Sequence, residues 1–142
     1  MDNKNYPLVS VIIPMYNAEK FIGECINSVI NQEYRNWEMF VVDDCSNDKS
    51  RDIVLEYVKK DNRIKYISSE LNSHSPGRTR NIGIKNANGR YVALLDADDL
   101  WLEKKLSKQV AFLEQHEDIF LLYSRYQIWK NGKIINKIAP TR

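Results

Sequence analysis

Short apolar runs alternate with segments of helical periodicity along this chain of 142 residues. The runs, rich in β-branched side chains, lie at residues 8–13, 37–42, 64–67 and 91–95. Between them, apolar residues recur at helical spacing, most clearly over residues 21–30 and 53–58. Strands that alternate with helices in this way form βαβ units. The sequence therefore predicts an α/β fold with a largely parallel sheet.

The second half of the chain extends this pattern. Pro76 follows a serine and is typical of the first turn of a helix, which we expect to end at residues 86–88, before Gly89. A further helix is predicted to start near Leu100 and to cover residues 102–113. Residues 119–129 and 133–138 predict two strands joined by a turn at residues 131–132. We treat residues 1–142 as one domain.

An acidic cluster follows the apolar run at residues 91–95. That run predicts a strand buried on both faces. The cluster contains Asp96, Asp98 and Asp99. Carboxylates crowded at a strand end repel one another, and a divalent cation shared with substrate phosphates is the usual compensation. In the alternative interpretation, one aspartate caps the helix that follows and the others are solvated.

Three polar clusters follow three predicted strands, at residues 14–17, 43–48 and 96–99. In open α/β sheets, ligands bind in the crevice outside the carboxyl ends of the strands. If the sheet is parallel, it brings these clusters to one edge although they are far apart in sequence. The clusters together therefore indicate a ligand site at that edge.

Each candidate contact in these clusters has a structural alternative. Tyr16 either offers an aromatic face to a nucleobase or packs on the sheet edge. Asp43 and Asp44 either accept hydrogen bonds from a base edge or cap the next helix. Arg78 and Arg80 lie two residues apart at a predicted helix start, so we expect only one of them to bind phosphate there.

Composition and charge exclude several classes of protein. The chain has 21 Lys and Arg against 19 Asp and Glu, so no dense basic stripe indicates a nucleic-acid binder. Cys25, Cys45, His74 and His116 lack the spacing of a zinc site. We expect neither a secretory signal nor a membrane-spanning run, and we expect a cytoplasmic protein.

Four motifs resemble the inverting family 2 glycosyltransferases of GT-A fold. They are residues 9–17 (VSVIIPMYN), 41–48 (VVDDCSND), 79–81 (TRN) and 95–99 (LDADD), and they occur in the order and spacing of that family. The resemblance implies a GT-A (Rossmann-like) three-layer sandwich with a mostly parallel central sheet. It implies that the chain is the N-terminal, nucleotide-sugar donor-binding part of such an enzyme, truncated before its acceptor-binding half, with a naturally short protein as the alternative.

The resemblance also implies roles for individual residues. Tyr16 stacks on a uracil-type base and Asp44 bonds the base edge, while Arg80 lies near the nucleotide and Asp96 near the ribose. The implied nucleotide-binding residues are Pro14, Tyr16, Asn17, Asp44, Arg80 and Asp96. In the Asp-x-Asp motif, Asp98 binds Mn²⁺ or Mg²⁺ at the diphosphate, and Asp99 is a second metal or sugar contact.

Two departures from the family pattern matter. Cys45 stands where the acidic loop usually carries glycine, which is costly if that position needs a positive φ angle. No residue after Asp99 resembles the family's catalytic base, since Glu103, Glu114 and Glu117 fall in or at the end of a predicted helix. We therefore expect the catalytic base to lie beyond residue 142.

The predicted function is transfer of a sugar, with inversion, from a UDP-sugar to a saccharide or lipid-linked saccharide acceptor. Such enzymes build surface polysaccharides at the inner face of the cell membrane, so peripheral membrane association is also implied. The alternatives are a non-catalytic nucleotide- or metal-binding module and a nucleotidyltransferase. A dinucleotide-dependent oxidoreductase is disfavoured because no glycine-rich motif follows the first strand.

Overall fold

A computed structural model describes residues 6–130 and 133–135, and it confirms the alternating α/β pattern. The elements in chain order are β1 (Val9–Met15), α1 (Ile22–Ile30), β2 (Trp37–Asp43), α2 (Ser50–Lys60), β3 (Ile64–Ser68), α3 (Pro76–Asn86), β4 (Tyr91–Leu94), α4 (Lys105–Leu113), β5 (Ile128–Lys130) and β6 (Lys133–Ile135). The chain divides into two compact units, one ending at Lys108 and the other starting at Gln109. No helix in the described part is long and apolar enough to cross a membrane.

Four of the strands form a parallel sheet in the order β3-β2-β1-β4. β2 is buried throughout, and β1 is buried except at Pro14, which is partly exposed. Strands covered on both faces are expected to be near-continuously apolar, which explains the runs that predicted them. Because all four strands are parallel, their carboxyl ends share one edge of the sheet.

The prediction that the strand before the acidic cluster is buried on both faces is wrong. β4 is an edge strand of this sheet, paired only with β1 among the described strands. Its residues alternate in exposure, with Val92 and Leu94 exposed by 44% and 52%. A short apolar run does not distinguish a central strand from an edge strand, because that depends on which neighbours pair with it.

Helix α1 buries an apolar face, and helix α3 packs against β1 and β2. α1 buries Ile22, Cys25, Ile26 and Val29, as its helical spacing predicts, whereas Phe21 just before it is half exposed. α3 packs closely on the sheet through Gly83, where an added Cβ would lie 2.5 Å from Cγ2 of Ile12.

A buried carboxylate lies near the amino ends of β1 and β2, away from the predicted site. Glu38 accepts hydrogen bonds from the Ser10 hydroxyl at 2.7 Å, the Asn88 backbone N–H at 2.8 Å and the Lys65 ammonium at 3.0 Å. Burial raises the pKa of Glu38, but these hydrogen bonds outweigh burial, so its pKa lies below the ordinary 4.5. We call these four residues the Glu38 network, and it ties β1 and β2 to the turn before β4.

Several predictions for the later part of the chain need correction. α4 begins at Lys105 rather than near Leu100, and Leu102 is 81% exposed and lies before the helix. The strand predicted over residues 119–129 is limited to β5, which starts at Ile128. β5 and β6 pair antiparallel, as a hairpin requires. The predicted turn at residues 131–132 and the predicted strand residues 136–138 lie outside the described residues.

Candidate functional site

A cleft of about 550 Å³ opens at the carboxyl ends of the parallel strands. It lies between the loops after β1 and β2, the first turn of α3 and the acidic turn after β4. Seven of the eight residues predicted for the site line it: Pro14, Tyr16, Asn17, Asp44, Arg80, Asp96 and Asp98. Asp99 is the exception, since it is not among the lining residues although it belongs to the same acidic turn.

The loop after β1 presents an aromatic ring at the cleft. Tyr16 is 50% exposed and lines the cleft. Asn17 follows with a φ angle of 47°, a conformation that asparagine tolerates better than most residues. Its backbone N–H and side-chain oxygen both bond to the loop after β2. The structure thus gives Asn17 a role in loop geometry beside its predicted contact with nucleotide.

The two aspartates that end β2 have different surroundings. Asp43 is buried and accepts hydrogen bonds from the Tyr66 hydroxyl at 2.6 Å and the Ser46 N–H at 2.9 Å. Burial and this bond to Asp43 raise the pKa of Tyr66 to about 12. Neither Asp43 nor Asp44 caps α2, because Asp48 accepts the hydrogen bond from the Ser50 N–H at the start of that helix.

Asp44 lines the cleft although it is only 6% exposed. Its Oδ1 accepts hydrogen bonds from the Ser73 N–H at 2.9 Å and the Ser69 hydroxyl at 3.2 Å. Its Oδ2 accepts one from the Ser73 hydroxyl at 3.0 Å. A carboxylate has about four acceptor positions, so one position on Oδ2 remains for a ligand donor.

Cys45 has the positive φ angle that is costly for residues other than glycine. Its φ angle is 64°, in the left-handed region that glycine adopts without a steric penalty. Its Sγ lies 3.4 Å from the Ser69 carbonyl oxygen, a weak contact that helps to hold this geometry. The loop that presents Asp44 therefore stores backbone strain next to the cleft.

Arg80 and Asp96 form an ion pair across the cleft, joining α3 to the end of β4. Arg80 Nε is buried and has no hydrogen-bond partner among the described residues. Arg78, the other candidate for phosphate binding, is exposed and does not line the cleft. Of the two arginines, Arg80 is therefore the one placed to meet a ligand.

The acidic turn concentrates negative charge against the first turn of α1. The Asp99 N–H donates to the Asp96 carbonyl at 3.0 Å, and the Cys25 thiol lies 3.4 Å from the same oxygen. Burial, then the charges of Asp98 and Asp96, raise the pKa of Asp99. Burial, then the three aspartates, raise the pKa of Cys25 to about 12. None of the aspartates caps α4, since that helix begins at Lys105.

Donors for a divalent cation are present, but they do not form a closed cage. In the part of the chain that the structure describes, no three His, Cys, Asp or Glu side chains are grouped to hold a metal. Asp98 and Asp99 offer hard carboxylate oxygens. Mg²⁺ is usually bound by one or two carboxylates, with substrate phosphates and water completing its shell. The donor set fits a cation of that kind.

Three cleft features were missed by reasoning from sequence. Ser69 and Ser73 hold Asp44, but a polar loop gives no periodic signal that would identify them. His74, noted from the sequence only for lacking zinc-site spacing, lines the cleft with a φ angle of 49°. Phe21, predicted on the buried face of α1, is 51% exposed on the cleft wall.

A parallel α/β sheet with a cleft at its carboxyl edge is typical of nucleotide-binding folds, and similarity to solved glycosyltransferases shows that this one is of the GT-A class. Staphylococcus aureus TarS 1-349 in complex with UDP has a TM-score of 0.72 and 40% sequence identity over 77% of this chain and 32% of that one. The mannosyltransferase PcManGT from Pyrobaculum calidifontis, in complex with GDP-Man and Mn²⁺, has a TM-score of 0.71 and 26% identity over 79% of this chain and 34% of that one.

The chain belongs to glycosyl transferase family 2, whose family model matches residues 10–138. This confirms the family and the fold that the motifs imply. A relative in Escherichia coli, the UDP-Glc:alpha-D-GlcNAc-diphosphoundecaprenol beta-1,3-glucosyltransferase WfgD, is 42% identical over 136 residues. That match covers 95% of this chain and 52% of WfgD, so the chain spans about half the length of this relative.

Proposed function

We propose that this chain carries the donor site of an inverting glycosyltransferase that uses a UDP-sugar. The observation that carries the proposal is the single cleft in which an exposed tyrosine, a buried carboxylate, an arginine and two exposed carboxylates meet. TarS, which is 40% identical over 77% of the chain, was solved with UDP and also with UDP-GlcNAc. WfgD supports the same donor class, because its name specifies UDP-Glc.

Tyr16 and Asp44 form the base-binding end of the cleft in this proposal. The half-exposed Tyr16 ring provides a stacking face, and stacking on an aromatic side chain contributes about 1–3 kcal/mol per base. The remaining acceptor position on Asp44 Oδ2 takes the uracil N–H. Because the Ser73 backbone N–H already holds this carboxylate, it needs little reordering when the base binds.

Arg80 and Asp96 take the ribose and phosphate part of the nucleotide. In this proposal, Asp96 accepts a hydrogen bond from a ribose hydroxyl, while the Arg80 guanidinium neutralises nearby phosphate charge. The ion pair between them keeps both side chains at the cleft before the donor arrives. Arg80 also has an unused donor in its buried Nε.

Asp98 and Asp99 would hold Mn²⁺ or Mg²⁺, with diphosphate oxygens completing the coordination shell. Burial, then the charges of Asp98 and Asp96, raise the pKa of Asp99, and a bound cation would relieve the repulsion among these carboxylates. The complex of PcManGT with GDP-Man and Mn²⁺ supports this assignment. When bound, the cation supplies Lewis-acid stabilisation of the charge on the leaving nucleoside diphosphate.

The reaction is a single in-line displacement at the anomeric carbon of the donor sugar. The residues of the cleft bind and orient the donor, and a general base deprotonates the acceptor hydroxyl as it attacks. The acceptor is a saccharide or lipid-linked saccharide, in keeping with the diphosphoundecaprenol acceptor in the name of WfgD. A lipid-linked acceptor would bring the protein to the inner face of the cell membrane.

Calorimetric titration of the chain with UDP, in Mn²⁺ and in EDTA, tests this proposal. We expect binding that strengthens with Mn²⁺, and thermal stabilisation of about 2.7 kcal/mol when UDP is present at a hundred times its Kd. Tyr16→Ala should lose about 1–3 kcal/mol of UDP binding, and Asp98→Asn should remove most of the effect of Mn²⁺. Tyr6→Ala and Asp52→Asn are matched controls, because both residues are exposed and neither lines the cleft.

Each part of the proposal can fail by itself. Absence of UDP binding at millimolar concentration, with and without Mn²⁺, would contradict the nucleotide site. Equal UDP affinity in EDTA and in Mn²⁺ would contradict the metal assignment alone. If Tyr16→Ala folds normally and binds UDP as the parent does, Tyr16 does not stack on the base.

A further inference from the structure

The loops after β1 and β2 are bonded to each other in both directions. The Asn17 N–H donates to the Ser46 hydroxyl at 2.9 Å, and the Asn17 side-chain oxygen accepts from the Asn47 N–H at 2.9 Å. One asparagine thus uses a donor and an acceptor to join two segments about 30 residues apart in sequence. Sequence alone gave no sign of this pairing.

A second group of bonds lies one turn further along both loops. Asp48 Oδ2 accepts from the Glu19 N–H at 3.1 Å, and the Glu19 carboxylate accepts from the Lys49 N–H at 3.0 Å. The Ala18 N–H donates to the Ser50 hydroxyl at 2.7 Å, and Asp48 Oδ1 accepts from Ser50. We call the bonds between residues 17–19 and 46–50 the loop clamp.

The loop clamp adjoins the two residues assigned to the nucleobase. Tyr16 directly precedes Asn17, and Asp44 lies two residues before Ser46. Two residues within or beside the clamp, Asn17 and Cys45, have φ angles of 47° and 64°. Residues persist in such sparsely populated conformations only when surrounding contacts hold them there. The loop clamp supplies such contacts to Asn17, which lines the cleft, through Ser46 and Asn47, whereas Asp48 does not line the cleft.

From this geometry we infer that Asn17 and Asp48 are positioning residues that fix Tyr16 and Asp44 for nucleobase recognition. The inference rests on the proposed nucleotide site. In the proposed site the base stacks on Tyr16 and hydrogen-bonds to Asp44, so these two side chains must be a set distance apart. If the loops already hold them at that distance, less entropy is lost when the nucleotide binds. Loss of the loop clamp should therefore reduce nucleotide affinity and the selection of one base over another.

The decisive variant is Asp48→Asn, because residue 48 is outside the cleft. An asparagine keeps one oxygen for Ser50, but its amide nitrogen cannot accept from the Glu19 N–H, so one bond between the loops is lost. We expect UDP to bind about tenfold more weakly, which corresponds to a loss of about 1.4 kcal/mol in binding free energy. The ratio of UDP to CDP affinity should fall as well, while Asp52→Asn leaves both quantities unchanged.

Asn17 provides an independent test through a conservative variant. Asn17→Asp keeps the oxygen that accepts from the Asn47 N–H and tolerates a positive φ angle, whereas Asn17→Ala loses both properties. A positioning role predicts that Asn17→Asp retains most of the selection of UDP over CDP and that Asn17→Ala does not. The affinity ratio is unaffected by the fraction of folded protein, so partial unfolding does not obscure it.

The outcomes separate this inference from the proposed function. Failure of the parent chain to bind UDP would overturn the proposed function and this inference together. Parent-like affinity and selectivity in Asp48→Asn and Asn17→Ala, in a parent that binds UDP, would overturn the positioning role alone. A loss in Asn17→Asp as large as in Asn17→Ala, with Asp48→Asn unchanged, would assign Asn17 to direct contact with the ligand and also overturn it.

Discussion

Replacement of Gly83 by alanine should destabilise the protein, because α3 contacts the sheet at this residue. An added Cβ would lie 2.5 Å from Cγ2 and 3.2 Å from Cδ1 of Ile12, and 3.1 Å from Cγ2 of Val42. Carbon atoms in protein cores approach to about 3.5–4.0 Å, so the helix or the sheet must move. Overpacking of this kind costs about 1–3 kcal/mol.

The higher helix propensity of alanine partly offsets this cost. Alanine in place of glycine stabilises a helix by up to about 1 kcal/mol, so the net loss for Gly83→Ala should be about 0–2 kcal/mol. Gly77 lies in the same helix and provides the matched control, since its added Cβ would meet only Ser75 Oγ, at 3.8 Å. Gly77→Ala should therefore be neutral or slightly stabilising.

Urea unfolding followed by circular dichroism measures the free energy of unfolding of both variants. We expect Gly83→Ala to be less stable than Gly77→Ala by about 1–3 kcal/mol, which corresponds to several degrees in Tm for a protein of this size. Equal stability of the two variants would refute the close approach of α3 to the sheet. A change in the urea dependence itself would instead indicate an altered denatured state.

Three further substitutions test other described features. Cys45→Gly should raise stability by about 1 kcal/mol in urea unfolding by relieving the positive φ angle, whereas a Cys45→Ala variant as stable as Cys45→Gly would argue against strain. Asp99→Asn should raise Tm at pH 7 without metal. The raised folded-state pKa means that the charged form weakens the fold, so this gain should shrink as pH falls and Asp99 protonates. Glu38 has a lowered pKa, so its contribution to stability is present above about pH 4.5 and is lost on acidification. Glu38→Gln should therefore lower Tm at pH 7 and reduce the fall of Tm on acidification.

The architecture was predictable because its signal is local. β1 and β2 are apolar at most positions since both faces are covered, and α1 shows its buried face in its spacing. The position of β4 was not predictable, because edge or central placement depends on partners far away in sequence. The strand predicted over residues 119–129 failed for the same reason, since apolar and aromatic residues form a strand only where a partner strand pairs with them.

The candidate site was predictable to the extent that it lies at strand ends. The parallel topology brings Tyr16, Asp44 and Asp96 to one cleft, as the strand-end argument predicts. The contacts that hold those residues were not predictable, because Ser73 and Asp48 act from loops without periodicity. Side chain-to-backbone bonds between loops leave no pattern in a single sequence.

The order of strands in the sheet also affects how the chain reaches its folded state. Val9 pairs with Trp37 on one side of β1 and with Tyr91 on the other. One edge of β1 therefore has no partner until β4, which comes much later in the sequence, has been synthesised. At about 5–20 residues per second, synthesis from the end of β2 to the end of β4 takes several seconds. During that interval β1 exposes unpaired backbone N–H and C=O groups along an apolar edge, which favours pairing with other chains. We expect closure of this long loop to limit the folding rate, and we expect the emerging chain to be most prone to aggregation before Tyr91–Leu94 has been made.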